Sequence, residues 1–127
     1  MSFTVTAELI EAVLKRNTAI KYNTTSPEAI SQVQTSVDWF LQMPKTQTLR
    51  KSSPTAYAVK HRIERQPSGY KGYISQEAAM IAAIICGFPY SLKYGRIGLD
   101  EEYYEKYKNV HEEGHWSLWM RLYWEIK

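Results

Sequence analysis

The chain is predicted to fold as one mainly α-helical domain, a compact bundle of four to six helices spanning residues 1–127. Three observations predict it. Helix-capping residues stand immediately ahead of several segments, apolar side chains recur behind them at spacings of three and four, and proline or glycine closes most of the segments. A chain of 127 residues is near the commonest domain size, and its 44% hydrophobic and 23% charged residues are those of a globular protein.

The elements follow in order. Thr6 is placed to cap a first helix carrying Leu9, Ile10, Val13 and Leu14, with Glu8 favoured in its first turn by the helix dipole. Ser26-Pro27-Glu28 opens a second, because proline at the first helical position forgoes an N–H that has no partner there. Ile30, Val33, Val37, Phe40 and Leu41 form its apolar face, and Pro44 ends it. Ser53-Pro54 repeats the start signal for a third helix, closed by Pro67-Ser68-Gly69, and Lys45 to Ser53 reads as a linker. Ser75-Gln76-Glu77 opens a fourth helix that Gly87 terminates. This one is apolar on nearly every side from Ala78 to Cys86, so it should be central.

Phe88 to Gly98, with Pro89, Gly95 and Gly98, reads as a loop holding at most one short turn, and Asp100 to Tyr107 reads as helical. The tail from His115 to Lys127 fits two geometries. Trp116, Leu118, Met120, Leu122, Trp124 and Ile126 alternate as in a strand, yet a strand would need a partner, for which Phe3-Thr4-Val5 is the candidate; a helix is the other reading.

Composition narrows the setting. The single cysteine, Cys86, rules out an intramolecular disulfide and fits a reducing compartment. Met1 to Val5 lacks the basic and apolar regions of a signal peptide, and the longest apolar run, Ala78 to Phe88, is eleven residues against the roughly 20 a spanning helix needs. A cytoplasmic protein without membrane contact is expected. Charge is polarised: seven basic residues and one acid lie between Lys45 and Lys71, and six acids and two lysines between Asp100 and Glu113. Such blocks are either solvated faces or partner surfaces.

Four constellations bear on function. In the third helix Ala56, Val59 and Ile63 form a narrow apolar stripe, which leaves Tyr57, His61 and Arg65 on the opposite side, one turn apart. With the neighbouring Lys60 and Arg62 they make an aromatic and cationic surface suited to an acidic protein patch or to phosphates. His111-Glu112-Glu113-Gly114-His115 matches H-E-x-x-H, which on a helix places two histidines on one face for zinc. The longer metalloprotease form fails at Leu118 and Arg121, and the glycine inside the motif disfavours the helix. A third ligand would have to be His61, Glu64 or Glu125, the last about 15 Å from His115 along a helix. A polar turn is therefore the reading adopted, with no metal, cofactor or catalytic residue assigned. Ala83 to Gly87 resembles a helix-turn-helix corner, but Pro89 to Tyr94 is too short for a recognition helix, so Gly87 reads as a C-cap. Trp116, Trp119, Tyr123 and Trp124 exceed what one neighbour can bury, which nominates Trp119 and Tyr123 as interface residues.

The run Ser53-Pro54-Thr55-Ala56-Tyr57-Ala58-Val59-Lys60-His61-Arg62-Ile63-Glu64, then Gly72-Tyr73-Ile74-Ser75, then Ile81-Ala82-Ala83 and Gly87-Phe88, resembles small proteins of phages, prophages and conjugative elements. Their pattern is Ser-x-Tyr-x-x-Lys-His-x-x-Glu, then Gly-Tyr-Val/Ile-Ser, then an alanine-rich helix ending Gly-Phe. This chain departs from it at Gln76-Glu77, where the pattern has Asn-Gly, and in its acidic, aromatic C-terminal region. The resemblance covers about 40 residues and implies a mobile-element origin without bringing an activity.

The expectation is thus a non-enzymatic binding module that engages a host or phage protein, as a modulator or inhibitor of host machinery, with host defence among the candidate targets. Nucleic-acid binding through the 45–71 segment is the alternative, and a zinc hydrolase the third. Oligomeric state is not legible.

Overall fold

The computed structural model describes residues 4–66, 72–102 and 104–105. Four helices, α1 (Ala7–Arg16), α2 (Pro27–Phe40), α3 (Ala56–Glu64) and α4 (Gln76–Ile85), make the fold mainly α, with a small antiparallel hairpin of β1 (Tyr90–Ser91) and β2 (Arg96–Ile97). Residues 101, 102, 104 and 105 are also helical, the Tyr104 N–H donating to the Asp100 carbonyl at 3.0 Å.

Three starts fall where the capping residues place them. The side chains of Thr6, Ser26 and Ser75 accept from the amides of Leu9, Ala29 and Ala78, satisfying donors that have no partner inside the helix. The third start is displaced from Ser53-Pro54. Thr55 caps α3, accepting from the Ala58 amide, while the Pro54 carbonyl takes the Ile97 N–H at 2.9 Å and the Ser53 hydroxyl turns back to the Arg50 amide. Pairing with the hairpin keeps Pro54 extended, so the helix begins two residues later. It also ends early, at Glu64 with Arg65 as cap, and the proposed Pro67-Ser68-Gly69 stop lies outside the described residues.

α4 is the central helix. Ala78, Ala79, Ile81, Ala82 and Ala83 are all fully buried, and α4 packs chiefly on α2, then on α3 and α1. Alanine on several sides lets neighbouring backbones approach closely, while Ile81, Val33, Val37, Val59 and Ile63 fill the layers between helices. At the C-terminal end of α4, Gly87 adopts φ +80°. Its amide donates to Ile84 and the Phe88 amide to Ala83, the paired bonds of a glycine-terminated helix. Phe88 then stacks edge-on against Phe40, which does the same with Trp39.

The segment read as a loop, 88–98, contains the hairpin. Its strands are two residues long, with Tyr90 opposite Ile97 and Ser91 opposite Arg96, and further bonds tie them to neighbouring segments. Thr46 donates its amide to Gly98 and Asp100 donates its own to Pro44, at 2.8 and 2.9 Å, and Ala56 donates to Gly95 at 2.7 Å. Lys45 pairs with Leu99 and Thr55 with Arg96 in isolated bridges. The start of the 45–53 segment is therefore a tie rather than a linker, with Thr46 and Ser53 both buried. Gly98 is required here: a Cβ would sit 2.8 Å from the Thr46 hydroxyl and 3.0 Å from the Pro89 ring. The hairpin also displaces the recognition helix that a helix-turn-helix would need. Tyr90, in β1, donates its hydroxyl to Asn17 at the end of α1, pinning the two together.

No helix among the described residues is long and apolar enough to cross a membrane. The H-E-x-x-H at 111–115 and the aromatic tail with Trp116, Trp119, Tyr123 and Trp124 lie outside the described residues.

Candidate functional site

α3 turns Ala56, Val59 and Ile63 into the core. The helical period then directs Tyr57, His61 and Arg65 to the other side, where Tyr57 is 59% exposed, the His61 side chain 41% exposed, and Arg65 exposed. Tyr57 and His61 meet edge to face, ring centroids 4.6 Å apart, so the outward row is pre-ordered at its N-terminal end.

Glu64 organises the neighbouring flank. Its carboxylate accepts from the Lys60 ammonium at 3.1 Å, from His61 Nδ1 at 2.9 Å and from the Ile74 amide at 2.8 Å. Burial works against the charge of Glu64, but the Ile74 amide, Lys60 and His61 outweigh it and hold the carboxyl below its ordinary range. An ionised carboxylate only accepts, so His61 Nδ1 carries the proton and Nε2 is the ring atom left for solvent or a partner. The carboxylate orients the imidazole, whose ring neighbour is Tyr57.

Two members of the sequence-derived set stand elsewhere. Lys60 is only 5% exposed, enclosed by Glu64 and by the rings of Tyr73 at 4.4 Å and Tyr57 at 5.7 Å. Its ammonium is a structural charge in a site of carboxylate and π-faces, not a group displayed to a partner. Arg62 forks onto both oxygens of Glu101 and lies over the Tyr104 ring at 4.8 Å. Burial opposes the charge of Arg62, yet Glu101, with help from Tyr104 and Glu105, raises its pKa above the ordinary value. The basic and acidic blocks of the chain thus meet each other at this contact. Within 45–66 the exposed cations include Arg50, Lys51 and Arg65, with Lys45 also set near the Phe88 ring.

Tyr73, 64% exposed, completes the site from the segment leading into α4. Spacing within α3 does not reveal it, since it comes from the Gly72-Tyr73-Ile74-Ser75 stretch. Residues of the 57–64 and 73–74 stretches therefore converge: Tyr57, Lys60, His61, Glu64, Tyr73 and Ile74 form one contact cluster. Among the described residues no group of three or more histidine, cysteine, aspartate or glutamate side chains is placed to hold a metal ion, and Nδ1 of His61 is already committed to Glu64. No family model matches the chain, and neither a curated protein nor a solved structure matches it.

Proposed function

We propose that this protein is a non-enzymatic binding module of a phage or mobile element, and that it docks a host protein on the outer face of α3 to modulate or inhibit that partner. One observation carries the reading. Tyr57 and Tyr73 are both about three-fifths exposed while being held in place from below by Lys60 and Glu64. Large aromatic rings ordered before binding lose little conformational freedom on association, and tyrosine with arginine is the composition enriched at interface hot spots. His61 and Arg65 supply polar contacts beside them. The resemblance of this same cluster to small phage and conjugative-element proteins supports the proposed origin.

Nucleic-acid binding is the less favoured reading for an electrostatic reason. Lys60 and Arg62, central to the basic segment, are each paired with an internal carboxylate, which removes them from the count of charges able to release counterions from phosphate. Affinity purification from host lysate, with and without nuclease, compares the native chain with the Y57A/R65A variant. Proteins retained after nuclease and lost with the variant are expected. Recovery that disappears with nuclease, or that the variant leaves unchanged, would overturn the proposal.

A further inference from the structure

We infer that the cleft between the first turn of α4, residues 19–21 and the hairpin binds a free α-amino acid with an apolar side chain. Its ammonium pairs with Glu77, its carboxylate with Lys21, and its side chain lies on Ile20, Met80 and Leu92. This goes beyond the α3 reading and does not depend on it.

The cleft encloses about 320 Å³. Ile20, Ala56, Met80 and Leu92 give it an apolar floor, Ala56 and Met80 buried, Ile20 and Leu92 half-buried. Its walls are tied before any ligand arrives. The Ala56 amide donates to the Gly95 carbonyl at 2.7 Å, joining the start of α3 to the hairpin. The Tyr90 hydroxyl donates to the Asn17 side chain at 2.9 Å, and the Asn17 carbonyl accepts the Ile20 amide at 3.0 Å, joining the hairpin to the turn after α1. A site formed in advance loses little freedom on binding. Gly95, at φ +63°, leaves the remaining edge open, since a Cβ there would meet nothing within 4 Å.

Two charges of opposite sign line this floor, the half-buried Glu77 and the exposed Lys21. Among the described residues neither has an ion-pair or hydrogen-bond partner. The dipole of α4 favours an acid at Glu77, but it does not account for an unpaired cation beside the same apolar floor. Opposite charges that stand apart around an apolar surface complement a ligand carrying both charges and an apolar body. An α-amino acid holds its ammonium and carboxylate on one carbon and directs its side chain away from them. Lys21, on its flexible four-carbon stem, can follow the carboxylate, while Glu77 is fixed on a helix. The volume lies at the lower end of the range for small-molecule sites, which fits one such molecule rather than a partner's helix or strand.

Titration of the full chain, labelled at its methionine methyls and followed by NMR, tests the site. L-leucine should shift the Met80 methyl and leave that of Met43, in the core away from the cleft, unmoved. Three analogues each lack one feature: 4-methylpentanoate the ammonium, L-leucinamide the carboxylate, glycine the side chain. Each should bind about tenfold more weakly than leucine or worse, the effect of one charge-assisted contact discounted for solvent access. E77Q should weaken leucine about tenfold and leave 4-methylpentanoate unchanged, and K21Q should weaken leucine while leaving leucinamide unchanged. Both substitutions sit where solvent reaches, so unchanged thermal unfolding of each variant accompanies these results. A Met80 methyl that stays in place up to the solubility limit of leucine would overturn the proposal. So would equal affinity for leucine and leucinamide, which stands for a peptide N-terminus, or leucine binding that ignores both E77Q and K21Q.

Discussion

Replacing Glu64 by alanine tests whether this carboxylate is the hinge-pin of the α3 site. The side chain is 17% exposed and accepts from the Lys60 ammonium, His61 Nδ1 and the Ile74 amide. In E64A the Lys60 ammonium, 5% exposed, loses the Glu64 carboxylate, and the Ile74 amide loses an acceptor. Removing one partner of a fully buried ion pair costs about 3–5 kcal/mol, and an orphaned amide about 1–3 kcal/mol. The Tyr73 and Tyr57 rings still solvate the ammonium, and water reaches the vacated position, so about 3 kcal/mol in total is expected. Urea unfolding at pH 7 should show it. With a slope of about 1.5 kcal/mol per molar, the midpoint falls by about 2 M. The double variant K60M/E64Q removes the stranded charge and keeps an acceptor for Ile74, so it should recover to within about 1 kcal/mol of the native chain. A midpoint for E64A within about 0.5 M of the native value would refute the reasoning, because the ammonium would then have no need of its carboxylate.

The same carboxylate makes stability depend on pH. Its folded pKa lies below the ordinary value of 4.5, so its contribution is fully present above that value and is lost as pH falls through the folded one; the native chain should lose more stability than E64Q on acidification below about pH 4.5. Gly98→Ala should destabilise more than Gly87→Ala in thermal unfolding, even though Gly87 has the positive φ. At Gly87 a Cβ finds only Lys45 Nζ at 3.6 Å and the cost is about 1–2 kcal/mol of backbone strain, whereas at Gly98 it collides with Thr46 and Pro89; equal losses would contradict this. Cys86, pushed up to about 12 by burial and with its thiol directed to the Val37 carbonyl, should react with iodoacetamide at pH 8 far more slowly than a free cysteine, and at an ordinary rate only once urea unfolds the chain. Ala82→Leu, inserted where α4 is fully buried, should cost about 1–3 kcal/mol by overpacking in the same urea assay.

The parts of the fold legible beforehand are those whose causes are local. Thr6, Ser26 and Ser75 cap helices because a hydroxyl reaches an amide three residues on, a relation confined to a few neighbouring residues. The apolar stripe of α3 and the all-round apolarity of α4 are equally local, and each set the burial found. Ser53-Pro54 carries the same local signal and is not a helix start, because the Pro54 carbonyl is claimed by Ile97 from more than forty residues away. The hairpin escaped the periodicity reading for a related reason. Strands of two residues carry no usable alternation, and beside their own pairing they are tied to the 44–46 and 54–56 segments.

At the candidate site the division is sharper. By itself the amino-acid order determined that Tyr57, His61 and Arg65 share the solvent side of α3, since one helical period and a three-residue apolar stripe suffice for that. Only the tertiary structure decided which charges remain for a partner: Lys60 is enclosed with Glu64 beneath Tyr73, and Arg62 is taken by Glu101. A formal charge is a property of one residue, but its availability depends on desolvation and on what the folded chain brings within a few ångströms, and no spacing rule along the helix carries that information.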